Sequence, residues 1–166
     1  LKLVGFKSVI PSAPLPKPEE DSGEKLHYHS SYFDLITQIE RRLRAHVDQV
    51  MKDAHGDDWI SARVAESTQR NWDQRRSEAE KSGEPRFSLI HYADFHELKT
   101  IMIGRKTWGP NFSSKFGIQE HFQTTMDRLY AVRKPLAHSR PISNGQLIHL
   151  YVEGAAILKA LGMKIL

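Results

Sequence analysis

An arginine and a histidine five positions apart form the stretch of this chain that is best suited to phosphate chemistry. They open and close the segment Arg133-Lys134-Pro135-Leu136-Ala137-His138. A guanidinium presents a rigid fork of donors that matches two phosphate oxygens. An imidazole accepts or donates a proton near neutral pH. The pair therefore predicts a site that binds a phosphate group and moves a proton beside it.

A predicted helix positions this pair. Apolar residues recur there at steps of three and four: Ile118, Phe122, Met126, Leu129, Val132 and Leu136. Residues five apart on a straight helix point about 140° away from each other. Because Pro135 lacks a backbone N–H, we expect it to bend or end the helix and let His138 turn towards Arg133. In the alternative interpretation the pair belongs to an ordinary helix end and bonds to carbonyls or to Asp127.

The charge distribution agrees with a polyanionic partner. The net charge is +4, and residues 1–90 carry 14 basic and 15 acidic side chains, whereas residues 91–166 carry 10 and 5. The basic part contains the arginine–histidine segment, where Lys134, Arg140 and Arg128 are the predicted nucleic-acid contacts. An ordinary solvated basic surface is the alternative.

Helical patterns also fill the rest of the chain after residue 30. The first helix is expected to be capped by Ser31 and ended by Gly56, with Glu40 and Arg44 paired on its exposed side. Its predicted buried stripe is Phe33, Ile36, Ile39, Leu43, Val47 and Val50. A second helix is predicted from Asp57 or Asp58 to Lys81, with its latter half solvated.

Two capping boxes predict the starts of two later helices. They are Asp94 with Glu97, and Ser143 with Gln146. The last helix is expected to turn Leu147, Tyr151, Leu158 and Leu161 inwards. Between the two boxes, Trp108, Phe112 and Phe116 lie in a predicted loop, where they stack on bases or, as we favour, anchor the loop to the core.

These patterns predict an all-α bundle of about five helices over residues 30–166. Residues 1–29 are predicted to be a linker or the remnant of a preceding domain, because prolines and acidic residues dominate 11–23. The chain begins with Leu1 rather than Met, so we expect a longer protein with a fused or associated regulatory domain upstream.

Composition excludes several kinds of site. With no cysteine there is no disulfide and no thiolate zinc site. No apolar run approaches the roughly 20 residues of a membrane helix, so a cytoplasmic location is expected, or a nuclear one in a eukaryote. The histidines lack metal-ligand spacing and Gly104-Arg105-Lys106-Thr107 lacks the upstream glycine of a phosphate loop, so no metal and no cofactor are predicted.

The segment from Arg133 to Arg140 resembles the signature of the HEPN superfamily (higher eukaryotes and prokaryotes nucleotide-binding). The resemblance spans roughly residues 30–165 and includes three further stretches: Ile39-Glu40-Arg41-Arg42-Leu43-Arg44, Tyr92-Ala93-Asp94-Phe95-His96-Glu97-Leu98, and Trp108 with Phe112. The order of these features is similar to the HEPN domains of nuclear endoribonucleases in mRNP quality control. Similar domains occur in bacterial defence and toxin proteins.

The resemblance implies a dimerising bundle that cuts RNA without a metal. In that role His138 acts as general base or acid, and Arg133 holds the scissile phosphate. The 2′-OH is the attacking group, so RNA is the substrate and a 2′,3′-cyclic phosphate the product. Such a domain is expected to be the effector part of a larger defence or RNA-processing protein.

Lys134 departs from the family pattern, which usually has a polar uncharged or acidic residue there, often asparagine. This departure keeps a second hypothesis open, a non-catalytic HEPN module for dimerisation and for binding RNA or nucleotide. A plain helical interaction domain is a third hypothesis.

Overall fold

The computed structural model describes residues 25–163, and helices dominate this part of the chain. Its seven α-helices are α1 Ser30–His55, α2 Trp59–Arg63, α3 Glu66–Lys81, α4 Phe95–Met102, α5 Ser113–Phe116, α6 Gln119–Ala137 and α7 Asn144–Ala160. A 3₁₀ turn spans Leu89–Tyr92 and a π turn spans Trp108–Phe112. The two strands, β1 Leu26–His27 and β2 Ile142–Ser143, are two residues each. The all-α prediction is confirmed.

The helix count differs from the expected five for two reasons. The predicted second helix is broken, since Val64 and Ala65 have extended backbones that separate α2 from α3. The predicted aromatic loop is also helical, and it contains the π turn and α5. Its aromatic rings anchor it as favoured, because Trp108 and Phe112 are buried in the core.

The long helix α1 packs against α4, α6 and α7. Its buried side chains are Ile36, Ile39, Leu43, Val47 and Met51, so most of the predicted stripe is correct. Phe33 was wrongly included, since 47% of it is exposed at the start of the helix. The cap was also wrong, because His29 rather than Ser31 occupies the N-cap and its imidazole accepts from the Ser31 N–H. Gly56 ends the helix as predicted, with φ +83°.

Helices α6 and α7 form the most extensive helix pair in this part of the chain. Gly154 lets α7 lie close to α1, because a Cβ at this position would come within 2.8 Å of the Ile39 Cδ1 atom. The predicted inner face of α7 was partly wrong. Tyr151 is 52% exposed, whereas Leu150, Glu153, Gly154, Ile157 and Leu158 are buried. Both predicted capping boxes are present, at α4 and at α7.

A short antiparallel pair ties the start of the described chain to the loop before α7. Leu26 pairs with Ser143 and His27 with Ile142. The His27 imidazole also bonds to the Asn144 amide oxygen at 2.5 Å. The end of the predicted linker is therefore attached to the bundle, while the proline-rich stretch 11–23 lies outside the described residues. None of the helices between residues 25 and 163 combines the length and the apolar composition of a membrane span.

Candidate active site

The end of α6 is a Schellman motif built on a serine. The Ser139 N–H donates to the Leu136 carbonyl at 3.0 Å, and the Arg140 N–H donates to the Pro135 carbonyl at 2.9 Å. These two bonds define the motif and place Ser139 at the position after the helix cap. Ser139 has φ +54°, in the left-handed region that usually takes glycine. The chain therefore turns sharply after His138, and His138 is the last residue before the turn.

Pro135 does not end α6, which continues to Ala137. Its missing N–H would have bonded to the carbonyl of Ala131, four residues earlier. The side-chain amide of Gln146 on α7 donates to that carbonyl instead, at 2.9 Å. The same Gln146 closes the α7 capping box by accepting from the Ser143 N–H. Of the two predicted effects of Pro135, a bend or an end, the end does not occur, and a side chain of the neighbouring helix supplies the lost donor.

Arg133 faces α1 and bonds to Glu40. Its Nε–H donates to Glu40 Oε2 at 3.2 Å. The other Glu40 oxygen accepts from Arg44 at 2.8 Å, and Arg44 also donates to the Ala93 carbonyl at 2.9 Å. The alternative pairing with Asp127 is not formed, since Asp127 accepts from Lys99 at 2.5 Å. The predicted Glu40–Arg44 pair exists, but it is largely buried at the α1–α6 contact rather than on an exposed face.

His138 does not meet Arg133 within this chain. His138 is exposed at the C-cap of α6, and no protein group between residues 25 and 163 hydrogen-bonds to its imidazole. Lys134 and Arg140 are exposed beside it. The helix end thus presents three side chains to solvent that can take a proton or contact a phosphate.

Arg128, also on α6, faces α7 rather than α1. It donates to Glu153 of α7 at 2.6 Å, and Thr125 donates to the other oxygen of that carboxylate at 2.8 Å. Burial alone would raise the pKa of Glu153, but the bonds from Arg128 and Thr125 outweigh it and hold this pKa below its ordinary value. Arg128 is half-exposed, so it combines a structural ion pair with access to solvent.

Two adjoining cavities lie beside the arginine. The first, of about 240 Å³, is lined by Glu40, Arg41, Arg44 and Arg133 with apolar side chains of α1. The second, of about 210 Å³, is lined by Tyr28, His29, Leu136 and Ser139 among others. Phe33 and Ala137 line both cavities. Three arginines against one glutamate make the first cavity cationic, as a site for a phosphate requires.

Sequence reasoning missed the contribution of α1 to this site. It assigned Glu40 and Arg44 to a solvated face and Phe33 to the core, and it gave Arg41 no role. The only signal was the stretch from Ile39 to Arg44, which belongs to the HEPN resemblance. The pairing of Glu40 with Arg133 spans 93 positions, and no local pattern indicates it.

The histidines that invited a metal interpretation have other partners. His29 caps α1, His27 bonds to Asn144, His91 stacks on Phe87, and His96 tilts against Tyr130. Within residues 25–163 no group of three or more His, Asp or Glu side chains is arranged to hold a metal ion.

A family model described as Swt1-like HEPN matches residues 34–162, most of the chain. This chain belongs to the Swt1-like HEPN family. The matched range contains α1 from Asp34 onwards, including Glu40, and the whole segment from Arg133 to Arg140. The resemblance to HEPN domains of nuclear mRNP quality-control endoribonucleases is thereby confirmed. HEPN membership supports a nuclease or RNA-binding domain in general. No curated protein and no solved structure matches the chain.

Proposed function

We propose that this HEPN domain is a metal-independent endoribonuclease that cleaves RNA with Arg133 and His138 in a cleft between two copies of the chain. One observation carries the proposal. The motif arginine is held by Glu40 in a cationic cavity, while the motif histidine is exposed at the end of the same helix. A phosphate-binding group and a proton-transfer group are thus presented by one six-residue segment of the chain.

The reaction needs a base, an acid and a cation, and these residues can supply all three. His138 takes the proton from the ribose 2′-OH, and the 2′-oxygen attacks the adjacent phosphorus. The bond to the 5′-oxygen breaks, and an imidazolium returns a proton to that oxygen. Arg133 stabilises the charge that develops on the phosphate oxygens. The products are a 2′,3′-cyclic phosphate and a free 5′-hydroxyl.

A dimer would explain how Arg133 and His138 act on one phosphate although they do not meet within one chain. Arg133 faces the α1 contact, whereas His138 is exposed at the C-cap of α6 and forms no hydrogen bond with Arg133. With two copies, Arg133 of one chain and the partner's His138 can meet at the same phosphate. Two imidazoles in one cleft also allow one to act as base and the other as acid.

The test is RNA cleavage in EDTA by the wild type and by the Arg133→Ala and His138→Ala variants. Each substitution should lower kcat by a factor of about 10² to 10³, since each removes transition-state stabilisation or proton transfer. The matched controls are His121→Ala, an exposed histidine in the first turn of α6, and Arg70→Ala, an exposed arginine on α3. If both variants still cleave RNA at the wild-type rate, Arg133 and His138 are not the active site.

The cationic residues around the motif belong to the RNA contact in this proposal. Lys134→Ala and Arg140→Ala should each weaken RNA binding and reduce its salt dependence by roughly one phosphate contact, with kcat retained. Arg128→Ala should do the same at a cost in stability, because it leaves the buried Glu153 without its cation.

The second candidate is a non-catalytic HEPN module that dimerises and binds RNA or nucleotide. Lys134 favours it, because a lysine replaces the polar or acidic residue usual beside the motif arginine. In this case the wild type binds RNA in a salt-sensitive manner and yields no cyclic-phosphate product. Restoring cleavage by Lys134→Asn would assign the loss to that lysine.

A further inference from the structure

Glu40 is a largely buried carboxylate, 13% exposed, and it is shared by two guanidinium groups of different helices. Its Oε1 accepts from Arg44 of α1 and its Oε2 accepts from Arg133 of α6. Arg44 is itself fixed by the carbonyl of Ala93. The carboxylate is therefore held on one side by a guanidinium tied to the backbone, and on the other side it holds the motif arginine.

Glu40 bonds to Arg133 through Nε, and this leaves the two Nη groups of the guanidinium free to bind a phosphate. A guanidinium has one N–H on Nε and two on each Nη. The Nε–H is the only Arg133 group that donates to Glu40. Among residues 25–163 no group accepts from Nη1 or Nη2 of Arg133. The side chain is one-third exposed and lines the cationic cavity. Both Nη groups are thus available to a phosphate, whose oxygens match such a fork.

We propose that Glu40 is the positioning residue of the site: it anchors Arg133 through Nε so that both Nη groups face the phosphate of the RNA. This inference rests on the proposed function. An arginine held in this way needs little ordering when substrate binds, whereas a free one must lose rotamer freedom at that moment. Glu40 touches neither the substrate nor the reacting atoms, and it acts through Arg133.

A purely structural ion pair between α1 and α6 is the competing explanation, and stability alone does not distinguish the two. Asp48 provides the matched control. It is a half-buried carboxylate on the same helix that accepts from Lys52 at 2.7 Å and from Trp59 at 3.0 Å, and Arg133 is not among its partners. Asp48→Asn is therefore the same chemical change in the same helix without an effect on Arg133.

The kinetic experiment compares Glu40→Gln, Glu40→Asp and Asp48→Asn with the wild type in RNA cleavage. Glu40→Gln should lower kcat about 10- to 100-fold with a small change in KM, because misplaced catalytic groups lose rate rather than binding. Glu40→Asp, which keeps the charge, should restore part of the loss. Asp48→Asn should leave kcat unchanged. Equal kcat values for Glu40→Gln and Asp48→Asn would overturn the positioning role.

A spectroscopic experiment tests whether Glu40 positions Arg133 without measuring RNA cleavage. In ¹⁵N-edited NMR of the wild-type domain, the Arg133 Nε–H signal, assigned by its loss in Arg133→Lys, should exchange slowly with water. Glu40→Gln should speed this exchange at least about tenfold, and Asp48→Asn should not. An unaltered Arg133 signal in Glu40→Gln overturns the proposal. If the wild type cleaves no RNA but this signal depends on Glu40, the proposed function fails and the positioning role stands.

Discussion

Ser139, just after the end of α6, has a backbone conformation that serine rarely adopts. Ser139 is the non-glycine residue of the described chain with positive φ, at +54°. A side chain in the left-handed region costs of the order of 1 kcal/mol. The two bonds of the Schellman motif hold it there, and they keep the following Arg140 near the motif. Local strain thus lies directly beside His138.

The residue-scale prediction concerns this strain. Ser139→Gly should raise the free energy of unfolding by up to about 1 kcal/mol, because glycine adopts positive φ without a steric penalty. The measurement is urea unfolding followed by circular dichroism. Ser139→Ala is the control, since alanine keeps the Cβ and the strain. Equal stabilities of the glycine and alanine variants would show that the backbone conformation costs nothing.

Helices α6 and α7 are joined by a polar contact that neither helix specifies alone. Pro135 leaves the Ala131 carbonyl without its helical donor, and Gln146 donates to it while also capping α7. The Gln146 side chain therefore replaces the donor that Pro135 lacks in α6 and also caps the start of α7. This contact fixes the end of the motif helix relative to α7.

The element-scale prediction is an energetic coupling between Gln146 and Pro135. Gln146→Glu keeps an acceptor for the Ser143 N–H but removes the donor to Ala131, so it should cost about 1–2 kcal/mol of stability. In a Pro135→Ala background the cost should shrink, because the substituted residue has a backbone N–H that can bond to the Ala131 carbonyl. A double-mutant cycle by urea unfolding measures the difference. Strictly additive effects would contradict the coupling.

Across the whole molecule, an exposed apolar surface lies close to the candidate site. Ile148, Tyr151 and Val152 of α7 are each more than half exposed. The ring of Tyr151 meets that of Tyr32 edge-on, which connects this surface to the start of α1. Tyr28 and Phe33, also exposed, line the cavities beside Arg133. A second copy that covers this surface would bring its own motif towards the first.

The molecule-scale prediction follows from this surface. The wild type should have the mass of a dimer in light scattering after gel filtration, and Tyr151→Glu should be monomeric with reduced RNA cleavage. A charge at an apolar interface is left desolvated and unpaired, which opposes association. The control is Ile118→Glu, an exposed apolar residue before α6. A monomeric wild type, or a dimer that survives Tyr151→Glu, would contradict this interface.

Much of the fold was predictable from sequence because it depends on local periodicity. The capping boxes of α4 and α7 and the glycine after α1 are correct, and so are the apolar steps of α1 and α6 except at the exposed Phe33 and Ile118. The inner face of α7 was predicted less well, because exposed as well as buried positions of this helix are apolar. In α7 the exposed Tyr151 belongs to the same apolar pattern as the buried residues, so the pattern does not define the inner face.

The sequence by itself determined the all-α class, which follows from apolar spacing along the chain, and the HEPN family and its motif segment, which follow from resemblance to other members. Only the tertiary structure decided what surrounds that motif. Glu40 holds Arg133 across 93 positions, and Gln146 replaces the donor that Pro135 lacks. Both contacts join residues of different helices, so they depend on how the helices pack. Periodicity within one helix contains no information about them.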